Sequence, residues 1–165
     1  PYCAPDKGAK LDSTDNEVLE MGLKKLISRM MLGKIVYKVQ SEKSFKQTLE
    51  DLQKQVAEHG FTVTHIHDIK NAFEKNGLKT SKDFEHRIVQ FCNPQKAYNV
   101  MSMSTDAGIM MPKSISVLSD KDGVYLQFMK MKPFMVALMF PDINLAPMSK
   151  KVMGTMTNIA EKSAR

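Results

Sequence analysis

The sequence predicts an α+β domain: a mostly antiparallel sheet packed against helices, with extra helices at the N- and C-terminal ends. Three observations predict it. Apolar spacing alternates between helical and period-two along the chain, a tight hairpin signal joins two late strands, and no internal repeat or low-complexity run interrupts the pattern. The length of 165 residues suits one domain, and 42% apolar with 25% charged residues is ordinary globular composition. No apolar run approaches the roughly 18 to 20 residues that a membrane-spanning helix requires.

Residues 1–11 contain Pro1, Pro5 and Gly8 without periodicity, so a flexible lead-in is expected, followed by a single α+β domain over 12–165. Asp12, Ser13, Thr14 and Asp15 offer N-cap oxygens for a first helix. Its stripe is Leu19, Leu23, Leu26, Ile27 and Met30, and Gly33 supplies a stop. Ile35, Tyr37 and Val39 then alternate as a strand. Ser44 caps a second amphipathic helix through Phe45, Leu49, Leu52 and Val56, ending at Gly60.

From Phe61 the period becomes two, which places Phe61, Val63, His65 and His67 on one strand face and Thr62, Thr64 and Ile66 on the other. A short helix over Ile69 to Lys75 precedes a strand from Phe84 to Cys92. Asn93-Pro94 reads as an N-cap followed by proline in the first turn of a short helix carrying Ala97, Val100 and Met101. A loop around Gly108 leads to Pro112. The strands Ser114–Ser119 and Val124–Met131 are joined by Asp120-Lys121-Asp122-Gly123. Three prolines between Pro133 and Pro147 predict an irregular segment or short edge strand, and Leu145, Met148, Val152, Met156 and Ile159 predict a last helix.

The net charge is +6, and residues 91–165 carry the largest excess, 9 Lys and Arg against 5 Asp and Glu. Close basic pairs are few and lack interleaved aromatics, which argues against nucleic acid and for a general attraction to anionic partners. A chain beginning at Pro1 is expected to be a processed or truncated product, and a periplasmic or otherwise extracytoplasmic setting is the expectation. Cys3 and Cys92 belong to no CxxC, so they are either free or bridged by a tail that folds back.

At this point motifs accumulate. Ser44 to Asp68, with Phe45, Leu49 and Leu52 leading to Gly60-Phe61-Thr62-Val63 and then Asp68-Ile69, resembles the opening half of the DUF302 family, whose biochemical role is not established. Phe91-Cys92-Asn93-Pro94 with Ala97 is similar to that family's Cys-Asn-Pro element. Gly108, Met111-Pro112, Ser116-Val117 and Asp122-Gly123 fall where its later strand and hairpin would lie. The resemblance spans roughly Lys34 to Met131, leaves the terminal helices outside, and implies an α+β sandwich with a tendency to form symmetric dimers. It also implies a cysteine directly after the proline matching Pro112, where this chain has Lys113. A chemistry needing that pair of cysteines is therefore not open to this protein.

Candidate functional residues fall into three sets. His65 and His67, two apart in a strand with Asp68 beside them, share one side and suit a metal; nearby thioethers would favour copper or a non-covalently held haem, since no CxxCH is present. Such pairs are more often ordinary surface residues. Cys92, ending a strand ahead of a helix, suits a redox thiol or sulfur carrier, against the commoner reading of a small packed residue.

The third set is methionine, 14 in all. Met101, Met103, Met110, Met111, Met129, Met131, Met135 and Met139 read as a ligand- or partner-facing cluster, and Met30, Met148, Met153 and Met156 as helix packing. P-loop, GxGxxG, GxSxG and HExxH motifs are all missing. The reading that results is a non-catalytic, dimerising ligand- or partner-binding domain with a Met-rich apolar surface. Metal or haem binding and thiol chemistry are its rivals.

Overall fold

The structure, a computed structural model, describes residues 13–165. The expected lead-in and Cys3 lie outside the described residues. The chain divides into two units, residues 1–34 and 35–165. In the first, α1 (Ser13–Ile35) runs straight through Gly33. The expectation of a packed stripe needs correcting here: Met30 is 57% exposed, and Met21, Met31 and Leu32 lie off the stripe and are exposed as well. At 100° per residue, apolar positions spread around this helix and leave no single face to bury.

The second unit is built on β1 (Val36–Ser41), α2 (Phe45–Glu58), β2 (Thr62–Asp68), α3 (Ile69–Lys75), β3 (Glu85–Cys92), α4 (Pro94–Met103), β4 (Lys113–Asp120), β5 (Gly123–Met129), α5 (Pro133–Met139) and α6 (Ala146–Ala164). A 3-10 turn over Thr105–Met110 leads through a cis Met111–Pro112 bond into β4. The five strands form one antiparallel sheet in the order β1-β5-β4-β3-β2. Helices α2 and α6 pack on each other and on one face of the sheet. This is the α+β architecture that the alternating periods predict.

Local chemistry explains most boundaries. The Ser44 hydroxyl accepts from the Gln47 N–H to start α2, and Gly60, at φ 76°, turns the chain from α2 into β2. Asp68 caps α3 by accepting from Asn71 N–H at 2.9 Å. The β4–β5 hairpin is held by the Asp122 N–H donating to Asp120 Oδ1 at 2.8 Å, with Gly123 at φ 123°.

Two expectations change. Strand β2 carries a bulge: Val63 lies opposite Phe91 but His65 lies opposite Gln90, so Thr64 is the extra residue. The bulge reverses the phase of the strand. Val63 and Ile66 therefore both pack on the core, while His65 and His67 are exposed. The segment after Pro133 is helical rather than irregular, because Pro133 occupies the first turn, where its missing N–H would be unpaired anyway. Pro147 likewise sits in the first turn of α6.

Two buried clusters result. The main one joins Leu52 and Val56 of α2, strand residues such as Val89, Phe91, Ile115 and Leu126, and Met156, Ile159 and Ala160 of α6. The smaller consists of Val100, Ala107, Val136 and Leu145, edged by methionines. Among the described residues no helix is long and apolar enough to cross a membrane.

Candidate functional site

The family-like motif residues assemble at one end of the sheet, where β3 passes into α4. Asn93 does two things at once. Its Oδ1 accepts from the Lys96 N–H at 2.9 Å and starts α4, and its Nδ2 donates to the Gly60 carbonyl at 2.7 Å, tying the α2–β2 turn to the β3–α4 turn. Pro94 takes the first helical position. Phe61, buried just past Gly60, meets Phe91 edge to face with centroids 5.4 Å apart. The Lys96 ammonium lies 5.0 Å from the Phe61 ring centroid.

These residues wall one side of a cavity of ≈ 80 Å³. The 3-10 turn, the start of β4 and the first turns of α6 close the other sides. Five methionines line it: Met110, Met111, Met131, Met148 and Met153. The sequence sorting of methionines is corrected accordingly. Met148 and Met153 pack against the two clusters, as read, but also line the cavity, and Met156 alone of that group is a buried core residue. Met101, Met103 and Met129 are exposed, and of the candidate methionines Met110, Met111 and Met131 line this cavity. Met101 and Met103 border a separate, more polar depression with Met139 and Asp142.

Cys92 and Lys113 line the methionine cavity together. The register explains it: Lys113 opens β4 opposite Phe91, one residue from Cys92. Cys92 is a free thiol, half-buried. Burial pushes the Lys113 amine below the ordinary lysine value of 10.5, an effect opposed by the neighbouring Cys92. Among the described residues no carboxylate lies within salt-bridge distance of Lys113, and the cavity wall contains none. Its charged side chains are Lys96 and Lys113, both cationic.

The histidine pair sits elsewhere. The rings of His65 and His67 are 4.2 Å apart, edge to face, both exposed, and neither lines the methionine cavity. Among the described residues no group of three His, Cys, Asp or Glu is placed to hold a metal ion. Asp68, next to the pair, caps α3 and holds Arg87 at 2.8 Å, and Arg87 and Lys70 both reach Glu85. A histidine that sequence reasoning passed over, His86, has its Nε2 buried without a partner. Burial, with Arg87 nearby, lowers its pKa.

The model of the domain of unknown function DUF302 matches residues 37–163. The chain belongs to the DUF302 family. The DUF302 match runs past Met131, where the motif resemblance stops, and takes in α6. The packing agrees, since Met156, Ile159 and Ala160 complete the main core. The chain is also similar in structure to an uncharacterised conserved DUF302 protein from Bacillus stearothermophilus, with a TM-score of 0.68 and 22% identity over 79% of this chain and 98% of that one. No curated protein matches. At that identity the likeness shows the fold. Within the DUF302 fold, Phe61, Asp68, Asn93, Pro94 and Pro112 have structural work: a wall, two caps, a first turn and the lead into β4.

Proposed function

We propose that this DUF302 domain binds a small, mostly apolar molecule bearing one anionic group, seated in the methionine cavity with its charged end at Lys113. The observation that carries this reading is the cavity's charge: two lysines and no carboxylate around a wall otherwise dominated by apolar side chains. An ammonium drawn out of water without a counter-charge is costly, and a bound anion relieves that cost. The first turn of α4 adds to the attraction, since the N-terminal end of a helix is partially positive. The thioethers supply an apolar lining that reshapes around different tails.

Titration with butanoate and hexanoate, set against the uncharged alcohols of the same length and followed by the methionine methyl NMR signals, tests it. Saturable shifts at Met131 and Met148 are expected, with the carboxylate preferred and that preference lost in Lys113→Met. Methyl signals indifferent to both series would sink it.

The thiol alternative attaches to the same cavity, because Cys92 lines it beside an amine whose pKa is lowered. A neighbouring lysine ammonium is the kind of charge that stabilises a thiolate, the reactive form. Alkylation of the native protein by N-ethylmaleimide reads this directly, and a Cys92 that stays unlabelled until denaturant is added would remove it.

A further inference from the structure

The seven residues of α5, Pro133-Phe-Met-Val-Ala-Leu-Met139, contain no polar side chain, and the helix has only one side against the body of the domain. Val136 is fully buried on that side. Phe134 is 70% and Leu138 72% exposed, one turn apart, with Met135 and Met139 exposed beside them. An apolar helix presenting most of its circumference to water is a patch that calls for a cover.

The charges around it indicate which cover. Lys130 and Lys132, both exposed, precede α5 directly, and Lys150 and Lys151, also exposed, stand on α6, which packs against it. Asp142 is the one acidic residue between Lys130 and Lys151. Lys132 is moreover the N-cap of α5, a position where it makes no capping hydrogen bond and sets a cation at the positive end of the helix. A local preference broken this way marks a position shaped by something other than stability. A second copy is a poor occupant, because a two-fold interface over this patch would bring the same lysines together.

We propose that α5 docks on a membrane surface rich in anionic lipid, with Phe134 and Leu138 entering the boundary between headgroups and acyl chains and the four lysines holding the lipid phosphates. Apolar anchors with a basic rim are the combination such binding needs. The assignment is independent of what occupies the methionine cavity.

Flotation with vesicles tests it, using phosphatidylcholine alone and phosphatidylcholine with about 30% phosphatidylglycerol. The protein is expected to float with the anionic vesicles at low salt, to stay behind with the neutral ones, and to be released at about 0.5 M salt. Leu138→Asp should weaken partitioning about tenfold or more and Lys130→Glu/Lys132→Glu by a similar factor, with circular dichroism unchanged because these side chains are exposed. Three results would overturn the proposal: failure to float with anionic vesicles, equal binding to neutral ones, or a Leu138→Asp protein that floats like the wild type. A dimer that Leu138→Asp dissociates, with no flotation, would overturn it in favour of a second copy.

Discussion

The two buried clusters of this domain are made from different materials. The main core is dominated by branched aliphatic and aromatic side chains, with Leu52, Val56, Val89, Phe91, Ile115 and Leu126 all fully buried. Such side chains have few rotamers and fix one packing. The smaller cluster has four buried residues and a border of half-buried methionines, among them Met110, Met111, Met131 and Met148. Three rotatable bonds per side chain let that border fill space several ways. The cavity lies where the stiff cluster meets the soft one. The contrast teaches that the methionines of the interior are not spread evenly: five of them gather at the cavity between the two clusters.

That contrast can be broken by experiment. Leu52→Ala should cost ~3 kcal/mol in urea unfolding, since a fully closed site collapses poorly around a lost side chain. Met148→Ala should cost only ~1 kcal/mol. Equal costs would mean that the methionine border is as tightly specified as the core. At the edge of the stiff cluster, the Tyr37 hydroxyl donates to Glu161 Oε1 at 2.8 Å, joining β1 to α6. Burial and the Glu161 carboxylate raise that phenol from 10.0 to about 12. Its contribution to stability is fully present below pH 10.0 and lost as pH rises towards 12. Tyr37→Phe should lose ~1 kcal/mol at pH 7 and remove the late-titrating phenol from an absorbance titration.

Lys113 sharpens the comparison from the soft side. With its pKa lowered in the folded state, the unfolded chain binds more protons between that lowered value and 10.5. Stability therefore rises with pH across that window, and the contribution is lost as pH falls through the folded pKa. Lys113→Met should be at least as stable as wild type at pH 7 and should flatten this rise in urea titrations. The smallest effect belongs to His65→Ala and His67→Ala. Both side chains are exposed, and their loss should shift unfolding by less than ~0.5 kcal/mol and leave carboxylate binding in the cavity unchanged.

Legibility followed the range of the interaction. The caps at Ser44, Asp68 and Asn93 and the hairpin at Gly123 depend on residues within three or four positions, and the sequence spacing shows them. The bulge at Thr64 depends on how β2 meets β3, so the faces of His65 and His67 could not be read from alternation. Proline reads as a breaker by type, but Pro133 and Pro147 sit in first turns, where proline is tolerated. Lys113 was visible as a departure from the family pattern. That it faces the same cavity as Cys92 follows from the β3–β4 register. The methionines were the least legible, because one residue type serves core, cavity and surface, and spacing does not distinguish them.

The strand order has a consequence for time rather than for binding. β2, β3, β4 and β5 pair as successive neighbours, each closing onto the strand just before it, whereas β1 pairs with β5, Val36 lying opposite Met129 with three other strands between them in the sequence. Short closures form early and long ones late. The four-strand meander is thus the part that assembles first, and β1 is the last strand to dock and the first to peel away. Its amides should exchange with solvent ahead of those of β3 and β4.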